Sequence, residues 1–259
     1  AALQKQHQEI IVHTGQHYDY AMSQKIFEDL GIREPDIHLE TGGGSQTTQF
    51  TQMISRLETA MAASSPQLVI VFGDTNSTLA GALVAAKLNI PILHIEAGLR
   101  SYNRAMPEEI NRIVTDHVSK YLFAPTPTAM NILQKEGLGD KSFLTGDIMV
   151  DTMANNIRIA LQKSAVLNNL KLETTDYSLL TLHRNYNVDD NTILENLLNQ
   201  LGNLSEKIIF PVHPRTRKML SPSYKIPSNI QMVEPQGYLD FIVLEHSAKR
   251  IITDSGGIQ

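Results

Sequence analysis

A glutamate, two histidines and two arginines stand just after short apolar runs in this sequence, where small turn-forming residues are the norm. Glu96 follows Ile90–Ile95 and opens Glu96-Ala97-Gly98-Leu99-Arg100, His183-Arg184 follows Tyr177–Leu182, and His213-Pro214-Arg215 follows Lys207–Val212. Glutamate is a poor turn former, so Glu96 reads as a functional carboxylate that could carry a proton or stabilise positive charge. A lone histidine at such a position is more often structural. Two in parallel positions, each with an arginine, read as donors for a phosphorylated ligand. His94 and Glu96 share one face of a strand, but no third ligand joins them at strand or helix spacing, so no metal site is expected.

Three further groups keep two readings each. Asp74, in Gly73-Asp74-Thr75, precedes a helix expected over Ser77–Leu88. Local sequence favours it as the N-cap, and a carboxylate held for catalysis is the alternative. Pro107-Glu108-Glu109 looks like a helix start, with proline first and acids against the positive dipole end. Glu108 then either pairs with Arg112 four residues on or acts in catalysis. Thr253-Asp254-Ser255-Gly256-Gly257 is either a nest of backbone N–H groups for a pyrophosphate or an ordinary strand-to-helix turn with Ser255 as cap.

The elements that must position these residues follow from the pattern of apolar runs. Strands are expected at Glu9–His13, Leu68–Phe72, Ile90–Ile95, Tyr121–Ala124 and Ser142–Thr145, and then at Tyr177–Leu182, Lys207–Val212, Ile230–Val233 and Arg250–Thr253, with amphipathic stretches between them. That alternation predicts an α/β fold with mainly parallel sheets, whose ligands bind beyond the carboxyl ends of the strands. Between the two sets lies Gly146–Asp151, a polar helix from Thr152 to about Leu167, and an aperiodic stretch over Asn168–Thr175. The domains are therefore expected at 1–150 and 151–259.

Composition narrows the function classes. The 259 residues are 42% hydrophobic and 19% charged, an ordinary globular balance. A formal net charge of −5 argues against a general grip on nucleic acid or an anionic membrane. No apolar run approaches the roughly twenty residues of a membrane span. The absence of cysteine excludes disulfides, thiolate nucleophiles and cysteine-ligated zinc, and fits a cytoplasmic setting.

In order along the chain, the strings TGQH, GDT, HIEAGLRS, PEEINR, LTGD, HR, VHP, EPQGY and TDSGGIQ resemble the non-hydrolysing UDP-N-acetylglucosamine 2-epimerase family. The resemblance implies two Rossmann-like domains facing a central cleft, as in GT-B glycosyltransferases, with the carboxylates on the first domain and UDP on the second. It implies Asp74, Glu96 and Glu108 as catalytic carboxylates and His183 as a fourth catalytic or substrate-binding residue. It places Arg100, Arg184 and His213 among the substrate-binding residues, Gln236 and Phe241 beside the uridine, and Ser255, Gly256 and Gly257 on the diphosphate. Gln16 and His213 match positions near a second, regulatory UDP-sugar pocket. The implied partners are UDP-N-acetylglucosamine and UDP, in a homodimer, with no cofactor. The activity would supply activated N-acetylmannosamine for cell-surface polysaccharide.

The implied chemistry eliminates UDP to leave 2-acetamidoglucal, reprotonates C2 from the opposite face and returns UDP to C1. The sequence departs from the family in three places. Tyr186 stands in His183-Arg184-Asn185-Tyr186-Asn187 where a glutamate is usual. The segments carrying an N-terminal Gly-Thr-Arg-Pro-Glu loop and a C-terminal glutamate pair are expected to lie outside this chain, and a form without them is expected to turn over poorly. A hydrolysing epimerase, a GT-B glycosyltransferase and a non-catalytic UDP-sugar-binding fragment are the alternative readings.

Overall fold

The structure is a computed structural model that describes residues 3–15, 27, 30–42, 44–255 and 258. It divides into two compact units, Ala1–Thr152 and Met153–Gln259.

In the first unit, β1 (Val12–His13) pairs in parallel with β2 (Ile37–His38), and α1 (Gln46–Ser64) follows. Then β3 (Val69–Phe72), α2 (Asn76–Lys87), β4 (Ile92–Ile95), α3 (Pro107–Val118), β5 (Tyr121–Ala124), α4 (Pro127–Lys135) and β6 (Ser142–Leu144) alternate, and the last four strands form one parallel sheet in sequence order. The expected first strand contracts to Val12–His13, and the β2 segment carries no alternation long enough to announce it. One row across the four-stranded sheet, Val71, His94, Leu122 and Ser142, is wholly buried. Met53 and Leu57 of α1 and Ala80 and Val84 of α2 share a core with Val71 and Ile92. Each large apolar side chain so buried contributes about 1.5–3 kcal/mol relative to exposure.

The helix expected from Thr152 begins earlier. Met149 N–H donates to the Asp147 carboxylate, and α5 runs over Ile148–Lys163 before the short α6 (Val166–Leu170), which ends at Lys171 in a left-handed conformation. The second unit then alternates β7 (Tyr177–Thr181), α7 (Asn185–Val188), α8 (Asn191–Gly202), β8 (Lys207–Pro211), α9 (Pro214–Lys218), β9 (Ile230–Val233), α10 (Tyr238–Ser247) and β10 (Arg250–Thr253). Its parallel sheet has the order β10-β7-β8-β9, around a core of Leu180, Leu194, Leu198, Ile208 and Phe210. No helix among the described residues is long and apolar enough to cross a membrane.

This topology decides what meets what. Because β3 and β4 are neighbours, the loop bearing Asp74 leaves the sheet beside the loop bearing Glu96. Because β10 returns beside β7, Asp254 leaves beside His183.

Candidate active site

Glu96 follows β4 directly with φ at +73°, a left-handed backbone that L side chains rarely adopt and that costs of order 1–3 kcal/mol. The loop behind it is fixed by Gly98. At φ +84°, a Cβ there would stand 2.6 Å from the Ala129 carbonyl oxygen and 2.8 Å from Leu133 Cγ, so only glycine fits. Half-buried, Glu96 has its carboxyl raised above the ordinary range, first by burial and then by the charge of Asp74, with Arg112 opposing. Such a group can hold or release a proton closer to neutrality than a free glutamate.

Asp74 is not the helix cap that local sequence favours. Thr75 caps α2, its Oγ1 accepting the Thr78 N–H at 3.3 Å. The Asp74 carboxylate is thereby released to an ion pair with Arg112 of α3, whose side chains are 22% and 18% exposed. Asn111 supports the same loop, its Nδ2 donating to the Asp74 carbonyl at 2.8 Å and to Asn76 Oδ1 at 3.1 Å. Arg112 therefore faces Asp74, and the weighed Glu108–Arg112 contact is not formed. Glu108 stands half-buried in the first turn of α3, after Pro107 at the first helical position.

Glu109 is nearly sealed from solvent and serves the backbone, accepting Ser101 N–H at 2.7 Å, Ser101 Oγ at 2.9 Å and Tyr102 N–H at 3.0 Å. Burial alone would raise its carboxyl, but these bonds and the charge of Arg100 bring it below the ordinary value. One helix thus fixes the Asp74 loop through Asn111 and Arg112, and the Ser101-Tyr102 loop through Glu109.

Arg100 does not fit its expected place at the substrate. Its side chain is 1% exposed, its guanidinium paired with Asp116 and Glu136 at 2.7 Å each, and Nη1 donates to the Leu99 carbonyl. All of its reach is spent on the scaffold. His94 is not a ligand either. Nδ1 lies 2.7 Å from Asp116 Oδ1 and Nε2 lies 2.8 Å from the Gly73 carbonyl, so both ring nitrogens face protein acceptors. Among the described residues, no group of three His, Cys, Asp or Glu side chains could hold a metal ion.

In the second unit, His183 Nδ1 meets Asp254 Oδ1 at 2.7 Å, with the imidazole 55% exposed and Asp254 8% exposed. Asp254 also accepts the backbone N–H groups of His183 and Arg184 and Asn187 Nδ2. Burial pushes its carboxyl up. The Asn187 bond, the two backbone bonds and the His183 charge outweigh that and hold it below the ordinary value. With Nδ1 engaged, His183 presents Nε2. Arg184 donates Nε to the Asp254 carbonyl at 3.3 Å.

His213 caps α9, its Nδ1 accepting Arg215 N–H at 3.2 Å, and Arg215 itself pairs with Asp189. The neutral ring therefore carries its proton on Nε2, which remains a donor. Gln236 Nε2 donates to the Glu234 carbonyl, and Phe241 lies half-buried in the first turn of α10. Ser255 N–H donates to Thr253 Oγ1 at 2.9 Å. Gln16, Gly256 and Gly257 lie outside the described residues.

Arg112, Asn111, Asp116 and Asp254 were not singled out from the sequence as site residues. The signal for Arg112 and Asp116 is their helical spacing with Glu108, which puts the three along one face of α3.

The chain matches the family model described as UDP-N-acetylglucosamine 2-epimerase over residues 1–259. It is 46% identical to a UDP-N-acetylglucosamine 2-epimerase of Methanococcus maripaludis, covering 96% of this chain and 71% of that protein. It is 42% identical to the UDP-2,3-diacetamido-2,3-dideoxy-D-glucuronate 2-epimerase of Pseudomonas aeruginosa, covering 97% of this chain and 71% of that one. The crystal structure of Methanocaldococcus jannaschii UDP-GlcNAc 2-epimerase in complex with UDP-GlcNAc and UDP superposes with a TM-score of 0.88 at 42% identity, over 99% of this chain and 74% of that chain.

Proposed function

Given that the chain belongs to the UDP-N-acetylglucosamine 2-epimerase family, we propose that it inverts C2 of UDP-N-acetylglucosamine to give UDP-N-acetylmannosamine. The observation that carries this reading is the carboxylate pair at the ends of β3 and β4, with Glu96 in a strained backbone and its carboxyl raised beside Asp74.

The C2 proton of the sugar is barely acidic, so the reaction begins at C1. The C1–O bond breaks and its electron pair leaves with UDP. A carboxylate takes the C2 proton, and the C1=C2 double bond of 2-acetamidoglucal forms. Returning a proton to the opposite face of C2, with the UDP oxygen re-adding to C1, completes the inversion. No net proton is consumed and no redox partner is needed.

Asp74, Glu96 and Glu108 would stabilise oxocarbenium character and move the C2 proton. Glu96 suits the transfer because its raised carboxyl is readily reprotonated. On the second unit, His183 Nε2, oriented by Asp254, and Arg184 would serve as donors to the diphosphate. Gln236 and Phe241 would flank the uridine.

The Pseudomonas relative supports a second substrate for the same chemistry, since its name gives a 2-epimerase acting on a diacetamido glucuronate. The test is incubation of the full-length protein with each UDP-sugar in turn, with products resolved by NMR. Formation of UDP-N-acetylmannosamine from UDP-N-acetylglucosamine supports the first reading. Turnover of the glucuronate alone favours the second, and release of free N-acetylmannosamine would mean hydrolysis.

A further inference from the structure

Three segments carry the carboxylates of the proposed reaction, and all three are joined through one buried pair. Gly73, immediately before Asp74, offers its carbonyl to His94 Nε2 at 2.8 Å. His94 itself stands two residues before Glu96, and its Nδ1 meets Asp116 Oδ1 at 2.7 Å. Gly98, two residues after Glu96, donates its N–H to Asp116 Oδ2 at 3.1 Å, and Arg100 adds a 2.7 Å ion pair to the same oxygen. Asp116 lies on α3, the helix of Glu108 and Arg112. Both side chains of the pair are 0% exposed.

The proton count makes this more than packing. Both His94 nitrogens face acceptors, a carbonyl and a carboxylate, so two protons must be held between the ring and Asp116 for both contacts to be bonds. An apolar residue of the same volume would fill the space and leave the Gly73 carbonyl, the Gly98 N–H and the Arg100 charge short of partners. We infer that His94 and Asp116 are positioning residues for the C2 chemistry, setting the Asp74, Glu96 and Glu108 segments in one register without touching substrate. This rests on the reading of those carboxylates as the proton-moving groups.

Three variants separate the bonds. In Asp116→Asn the shape is kept and the charge removed. The side chain of His94→Asn can reach Asp116 but not Gly73, and that of His94→Gln can reach Gly73 but not Asp116. Each folded variant is assayed for kcat and KM in the full-length protein, with circular dichroism as the fold control and Glu96→Gln in parallel. The expected result is a kcat lowered about 10- to 100-fold, the usual cost of losing a group that orients a functional one, with KM within about threefold of the parent. The two His94 variants should each retain more kcat than Asp116→Asn, because each leaves the Asp116 carboxylate facing Gly98 N–H and Arg100.

Parental kcat in any two folded variants overturns the inference, and so does a raised KM at unchanged kcat. If none of the three folds, the pair is structural alone and the inference also falls. Should Glu96→Gln itself turn over normally, it is the reading of the carboxylates that has failed, and this inference with it.

Discussion

The imidazole of His183 is held by Asp254, with Nδ1 2.7 Å from Oδ1, which leaves Nε2 as the ring nitrogen that Asp254 does not engage. Asp254→Asn replaces the acceptor with a near-isosteric amide and loosens the ring. Turnover should fall about 10- to 100-fold, and His183→Ala should do no less harm. Steady-state kinetics of the two variants checks this, and parental turnover in Asp254→Asn would show the contact to be idle.

The same carboxylate makes a pH prediction. Its pKa is lowered in the folded protein, so its contribution to stability is present above the unfolded value of about 3.9 and is lost as pH falls through the folded value. The melting temperature of the parent should exceed that of Asp254→Asn at neutral pH and converge on it in strong acid.

Glu96 should behave in the opposite sense. Its carboxyl is raised by burial and by Asp74, so its contribution is most favourable when protonated and declines as pH rises through the folded value. Glu96→Gln, a permanent stand-in for the neutral form, should therefore melt higher than the parent at pH 8 while losing turnover, the gap closing below about pH 4. Thermal melts across pH provide the check; a variant less stable than the parent at pH 8 would remove the case for a raised carboxyl at this position.

Arg112→Met takes away the partner of Asp74 and should cost about 1.5–3 kcal/mol, the range for hydrogen bonds to charged groups. Arg112→Lys keeps the charge without the planar fork and should recover only part of it. Urea unfolding of both variants measures the difference, and equal stability of Met and Lys would show that charge geometry at Asp74 contributes nothing.

These residues also show where sequence stopped being informative. The bounds of β5, β9 and β10 were legible because apolar runs are bracketed by turn formers, a local property. Asp74 beside Thr75 was not, since two adjacent cap formers compete and the choice is made by Arg112, distant in sequence and near only in the fold. Arg100 follows Glu96 in a loop that reads as ligand-facing, yet Asp116 and Glu136 claim it. Asp254 stands in a string that reads equally as a phosphate nest or a turn, and its contact with His183 follows only from β10 lying against β7. The two-residue strand Ile37–His38 has no period to detect. In each case the deciding partner came from another element, which no local pattern encodes.

The most direct test of the account is the fate of the C2 hydrogen. The full-length protein is incubated with UDP-N-acetylglucosamine in D₂O, alongside Glu96→Gln, and C2 is followed by NMR. The account predicts deuterium at C2 as UDP-N-acetylmannosamine accumulates with the parent, and neither with the variant. Epimerised product that retains protium at C2, or exchange that survives in Glu96→Gln, would contradict it.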